Sequence, residues 1–179
     1  WVELVQSVAG DDSRTEVFGI YSQTMSETVA RSLARMDWDW AILGLPDTYV
    51  SGRISPYSQL AERASTLESD GELALLLTAF HTHPNQIGQV GSVEIGEGNL
   101  VTQHADKQES ANFGNHWGQM AFRREALRLL SSESPHTGHM IDPIIQAGGH
   151  VEAVRSTATY LDCGTLTGYR AALDLANHP

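Results

Sequence analysis

Residues 72–80, ELALLLTAF, are apolar almost without interruption. A strand with one face in water alternates apolar and polar side chains, whereas a strand covered on both faces does not. The run is far too short to cross a bilayer as a helix. It therefore predicts a central strand with helices packed on either side, and the flanking sequence has to supply those helices.

It does. EVFGIYSQ (16–23) reads as a strand from its β-branched and aromatic residues. In TMSETVARSLARM, Thr24 and Glu27 form a T-x-x-E capping box, and Val29, Ala30, Leu33 and Ala34 share one helix face. WAILGLP (40–46) is a short buried strand closed by Pro46. Ser55-Pro56 opens a second helix with a cap and a proline at the first helical position. Beyond the central run, strands are expected near 90–95 and 99–105, separated by the turn GEGN (96–99). WGQMAF then reads as a strand, REALRLLSS as a helix and 138–148 as another helix. HVEAVRS and TYLD read as strands, and TGYRAALDLAN as a closing helix. The fold class this predicts is α/β: one domain with a Rossmann-like mixed sheet and helices on both faces.

The formal charge is −11, from 11 basic and 22 acidic residues. Such a balance lacks the basic footprint of a nucleic-acid binder. An anionic substrate would need a metal ion or a few local cations. Cys163 stands alone, so no disulfide forms within the chain, and a cytoplasmic setting is expected. No apolar run has membrane length, and WVELVQSVAG has no basic leader region, so no membrane partner is expected. The opening Trp1 suggests a trimmed, processed or fragmentary chain.

Four constellations could carry chemistry. Asp47 follows the strand 40–46 at its C-terminal end, the edge where ligands bind in open α/β sheets; taken alone it suits a Pro-Asp turn better. Asp162 ends the strand TYLD, before a helix that Thr165 can cap. Two strand-end carboxylates in one sheet suit Mg²⁺, which takes its remaining ligands from phosphate and water. Asp106-Lys107 holds the only lysine in a chain whose other basic residues are arginine; a lysine is a point charge for a phosphate, or half of a solvated pair. Finally, His81 and His83 lie two apart with Glu94 downstream. That spacing resembles the H-x-H-x10-D signature of JAMM-type zinc peptidases, with Glu94 in place of aspartate and Ser92 one place off. A histidine-rich loop after a strand accounts for it as well.

In chain order, these pieces resemble the sugar-1-phosphate nucleotidyltransferases. AILGLPDTYV is similar to that family's strand ending in a metal-binding aspartate. TAFHTHPNQIGQV carries its P-x-x-[FI]-G-x-V segment at Pro84, Ile87, Gly88 and Val90. LVTQHADKQES matches the strand ending in an acid-lysine motif, without the proline that usually follows. NHWGQMAFRREAL resembles the glycine-bearing strand and helix, and YLDCGT the late W-x-D-x-G-T motif, with Tyr160 for tryptophan. The likeness runs from about residue 16 to the end.

The resemblance implies that Asp47 and Asp162 hold Mg²⁺ and that Lys107 contacts the phosphate of a sugar 1-phosphate. Asp106 would meet sugar hydroxyls, Gly88 and Gly118 would let backbone approach the sugar, and Gln23 would face the base. Gly91 rivals Gly88, and Met25 or Ser26 stands where the family has a base-contacting glycine. The implied reaction transfers a nucleotidyl group from a nucleoside triphosphate to a sugar 1-phosphate, with a thymidine or uridine nucleotide and a hexose fitting best. The family's opening G-x-G-T-R loop does not occur in the sequence. The expectation is therefore a single domain over 1–179, N-terminally truncated, with poor stability or self-association as a homo-oligomer and little turnover by itself. The alternatives are a non-catalytic nucleotide-sugar or sugar-phosphate binder with a regulatory role, and the zinc peptidase of His81, His83 and Glu94.

Overall fold

The computed structural model describes residues 19–67, 74–111, 113–130 and 135–177. Six strands form the main sheet. The central run becomes β3 (Ala74–His81), paired antiparallel with β6 (Asn115–Arg123) and parallel with β7 (His150–Arg155). On its other edge β6 has two partners placed end to end. Residues 123 to 120 pair with β1 (Trp40–Leu43), and residues 116 and 115 pair with β4 (Gly91–Ile95). An outer strand, β5 (Val101–Asp106), pairs with β4. A separate two-stranded ladder joins β2 (Thr48–Ser51) to β8 (Thr159–Asp162).

The reason β3 is apolar throughout is visible in its packing. Leu75, Leu77 and Ala79 point to one face, where they meet Val29 of α1 (Met25–Leu33) and Ile141 and Ile144 of α3 (Ile141–Gln146). Leu76 points to the other face, against Leu60 and Ala64 of α2 (Pro56–Thr66). All three leucines are fully buried, each contributing about 1.5–3 kcal/mol relative to exposure. Helix α2 is also tied to β7 by charge: Arg63 donates from Nε and Nη2 to Glu152 at 2.7 and 2.8 Å. Hydrogen bonds from that guanidinium hold the Glu152 carboxyl below its ordinary range, against the opposing effect of burial. The last helix, α4 (Leu166–Asn177), lies beside β8 and buries only Ala172.

The mixed sheet with helices on both faces is as the sequence predicts, and so is the capping box at Thr24; Ser55 precedes Pro56 at the start of α2 but makes no side-chain cap hydrogen bond. Thr24 accepts the Glu27 amide at 3.1 Å, while the Glu27 carboxylate reaches back to the amide of Gln23 at 2.8 Å. Three elements differ. Residues 16–18 of the expected first strand lie outside the described residues, and 19–23 form no strand; Tyr21 is exposed there. Strand β1 stops at Leu43, because Gly44 lies under the Tyr57 ring of α2 and Pro46 has no amide for a ladder. REALRL is a 3-10 helix (Arg124–Leu129) and not an α-helix. It buries only Ala126 and is pinned at its start by Arg124 to Asp37 at 2.9 Å. The helix expected over 138–148 divides into a 3-10 turn (Thr137–Met140) and α3.

Candidate active site

Strand β6 has a gap in its edge. β1 covers it down to Met120 and β4 begins at His116, so Trp117, Gly118 and Gln119 have no strand neighbour on that side. A bulge opposite the gap marks the same place: the register of β3 shifts between Leu77 and Ala79. There the Thr78 hydroxyl accepts the Gln119 amide at 2.8 Å and donates to Gln119 Oε1 at 2.7 Å, holding the irregular stretch of strand. Bulges of this kind commonly sit beside active sites. A cleft of about 260 Å³ opens over the gap, lined by the segment after β1, the segment before β4 and the end of β5.

Asp47 and Asp162 meet at one side of this cleft. The ladder sets Thr48 opposite Asp162, and the Cys163 amide donates to the Asp47 carbonyl at 2.7 Å. The Gly164 amide in turn donates to Asp162 Oδ1 at 2.8 Å. A Cβ placed on Gly164 would stand 3.0 Å from Asp162 Oδ1 and 3.3 Å from Asp47 Oδ2, so both carboxylates converge on the space that this glycine leaves empty. Both aspartates are exposed. Two convergent, accessible carboxylates fit Mg²⁺, which binds through one or two carboxylates and keeps phosphate and water as its other ligands. Among the described residues no group of three or more His, Cys, Asp or Glu gathers into an all-protein metal cage.

Asp106 and Lys107 face the same cleft, although they are consecutive. In a regular strand, neighbouring side chains point to opposite faces. Lys107 escapes this by adopting φ 50°, in the left-handed region, immediately after β5 ends. Its amide donates to the Val90 carbonyl at 3.3 Å. The imidazole of His139 lies 3.7 Å from Asp106 Oδ2, at Nε2.

Tyr160 forms the wall beside both carboxylates. Burial pushes its phenol up; a hydrogen bond with Thr48 opposes this, and the charges of Asp162 and Asp47 reinforce it. Its ring packs on Phe80 and His116, with centroids 5.1 and 4.8 Å away. His116 is buried, and burial, helped by the nearby His81, lowers its pKa to about 4, so the imidazole is neutral near pH 7. Gly118 lines the cleft, and a Cβ there would stand 2.6 Å from Phe80 and 2.9 Å from Tyr160.

Not every residue singled out from sequence comes to this place. Gly88 has φ +76° but does not line the cleft; a Cβ there would meet Glu109 at 2.6 Å. Its rival Gly91 does line it. Gln23 is exposed and outside the lining, whereas Met25 reaches in. The zinc arrangement is not formed. His81 and His83 sit with ring centroids 5.9 Å apart, but Glu94 accepts hydrogen bonds from Thr102 and Gln103 at 2.9 and 2.8 Å, on the β5 side of its strand. Trp117, His136 and Thr137 line the cleft without having been marked by any sequence motif. The gap between β1 and β4 along one edge of β6 opens Trp117 to the cleft.

No family model matches the sequence, and no curated protein matches it significantly. Solved structures do match in fold. The UTP-bound UGPase from Acinetobacter baumannii superposes with a TM-score of 0.70 at 19% identity, over 87% of this chain and 57% of that one. A protein assigned as a glucose-1-phosphate thymidylyltransferase from Bacillus anthracis, in complex with sucrose, gives 0.69 at 13% identity, over 90% and 64%. HddC from Yersinia pseudotuberculosis, complexed with GMP-PN, gives 0.61 at 14% identity, over 97% and 73%. The chain has the nucleotidyltransferase fold, and it spans less than two thirds of the length of the first two of these proteins.

Proposed function

We propose that this cleft is the metal and sugar-phosphate part of a nucleotidyl-transfer site, joining a nucleoside triphosphate to a sugar 1-phosphate with release of pyrophosphate. The observation that carries the reading is the meeting of Asp47, Asp162, Asp106 and Lys107 in one cleft at the gap in β6. Nucleotidyl transfer needs positioning and charge neutralisation more than covalent help from the protein. Lys107 would pair with the phosphate of the sugar 1-phosphate, which its left-handed backbone turns it to face. Asp106 would accept hydrogen bonds from sugar hydroxyls, with His139 Nε2 3.7 Å from its Oδ2. Gly118 lines the cleft, and its missing side chain leaves room for the Phe80 and Tyr160 rings that pack there. One oxygen of the sugar phosphate then attacks the α-phosphorus in line, and the bond to pyrophosphate breaks. Mg²⁺, held by Asp47 and Asp162, would supply charge neutralisation at the reacting phosphates. A cytoplasmic setting belongs to the same proposal; among the described residues no helix is long and apolar enough to cross a membrane.

The charge of the cleft favours one second reading. Among the described residues Lys107 is the single permanent cation in its lining, against three aspartates. That balance suits one phosphate monoester better than a triphosphate, as in a non-catalytic sugar-phosphate binder. Calorimetric titration with glucose 1-phosphate and with UTP, each with and without Mg²⁺, separates the two when combined with a pyrophosphate-release assay. Transfer predicts Mg²⁺-dependent release that Asp47→Asn lowers by at least about a hundredfold. Sugar-phosphate binding without release leaves the binder. No binding of either compound would remove both.

A further inference from the structure

Trp117 occupies the cleft between two glycines from distant parts of the chain. A Cβ on Gly91, at the start of β4, would stand 2.8 Å from indole Cδ1, and one on Gly138, in the 3-10 turn before α3, 2.7 Å from Cζ2. Neither glycine has a positive φ, so neither is required by backbone conformation. What both positions need is the absence of a side chain, because the indole fills that space from either side. The ring is thus clamped, and it also packs on the main core. It lines the cleft together with Asp106, Lys107 and Thr137. Its Nε1 is buried and has no hydrogen-bond partner among the described residues.

We propose that Trp117 selects the acceptor: its clamped indole closes the sugar end of the cleft, so that the site takes a hexose 1-phosphate with unsubstituted ring hydroxyls and rejects one carrying an acylamino group in place of a hydroxyl. This rests on the sugar-phosphate reading above. A flexible side chain at this position would yield to a bulky substituent. An indole held between Gly91 and Gly138 cannot, since the overlaps with Cβ positions show no spare room on either flank. The clamp is a packing device, so its effect falls on substrates that need the extra volume and leaves smaller ones alone.

The test measures binding of glucose 1-phosphate and N-acetylglucosamine 1-phosphate, each with Mg²⁺, to the full chain and to two variants. The unaltered protein should prefer the first by at least about tenfold, the scale on which a pocket wall discriminates. Trp117→Leu opens the wall and should bring the two affinities to within about threefold, by strengthening the second. Trp117→Phe keeps an aromatic wall and should preserve most of the preference, with a thermal melt confirming that each variant folds. Equal binding of both compounds by the unaltered protein overturns the proposal, as does a preference that persists in folded Trp117→Leu. Loss of the preference in Trp117→Phe would shift the selection from the wall to the indole N–H and overturn the steric argument. If Trp117→Leu fails to fold, the unaltered protein and Trp117→Phe still decide. Failure of the unaltered protein to bind either compound would instead sink the sugar-phosphate reading, and this inference with it.

Discussion

Lys107 combines a demanding conformation with a demanding position. A side chain with Cβ at φ 50° costs on the order of 1 kcal/mol relative to ordinary backbone, and such strain tends to collect at functional sites. Lys107→Gly should therefore leave stability unchanged or raise it by up to about 1 kcal/mol in a urea titration, while removing sugar-phosphate binding. Lys107→Arg keeps the charge and the strain but replaces a compact ammonium with a wide planar fork. It should weaken binding about tenfold with no change in unfolding midpoint; unchanged affinity would return Lys107 to the status of a surface charge. His116 makes a different prediction. Its folded pKa of about 4 lies below the ordinary 6.5, so the fold prefers the neutral ring. The stability this represents is fully present above pH 6.5 and is lost as pH falls towards 4, to a limit of roughly 3 kcal/mol. His116→Phe, beside Phe80, should flatten that part of the stability-against-pH curve. A curve as steep as that of the unaltered protein would show that another group titrates. That lysine was conspicuous in the sequence because it is alone, but its left-handed backbone was not, since nothing in ADKQ specifies a turn that only tertiary pairing imposes.

Among the elements, the strength of the local signal decided what could be read. The unbroken apolar run of β3 and the capping box at Thr24 state their structure within a few residues. REALRL has the composition of an α-helix and forms a 3-10 helix, because anchoring by Arg124 and the small buried face of Ala126 outweigh propensity. The gap in β6 could not be read at all. It arises from two strands, β1 and β4, that lie about fifty residues apart in sequence and stop short of one another on one edge. The junction of β8 and α4 carries its own test. Gly168 sits against the Asp162 carbonyl so closely that a Cβ has no room, while its amide donates to Thr165 Oγ1 at 3.1 Å as an N-cap bond. Gly168→Ala favours a helix by propensity, so an isolated helix would gain about 1 kcal/mol. Here it should instead lower the melting temperature and displace Asp162, weakening Mg²⁺ binding. A stabilised variant with intact Mg²⁺ affinity would show that the contact is loose.

For the whole molecule, the α/β architecture was legible because strands covered on both faces and amphipathic helices announce themselves by hydrophobic period alone. The site was legible only in part: Asp47, Asp106, Lys107, Gly118 and Asp162 converge, while Gln23 and Gly88 stay outside the cleft lining and Trp117 enters unannounced. The strand-end position of a carboxylate can be read from sequence, but a wall formed by one side chain clamped between two remote glycines cannot. If the two aspartates hold Mg²⁺, the ion stabilises the folded chain by mass action, about 2.7 kcal/mol at a hundred times its dissociation constant. For a domain of this size that raises the melting temperature by several degrees. Differential scanning fluorimetry across a Mg²⁺ series should show the shift, and Asp47→Asn or Asp162→Asn should abolish it.

The ladder between β2 and β8 has a kinetic consequence. It joins residues 48–51 to residues 159–162, across more than a hundred residues of chain. Closing so large a loop is entropically costly until the intervening sheet has already drawn its ends together. The two carboxylates should therefore come into register late, after β3, β6 and β7 have assembled. In a refolding experiment, burial of the core tryptophans should precede recovery of Mg²⁺ sensitivity, so that the molecule is compact before it is competent.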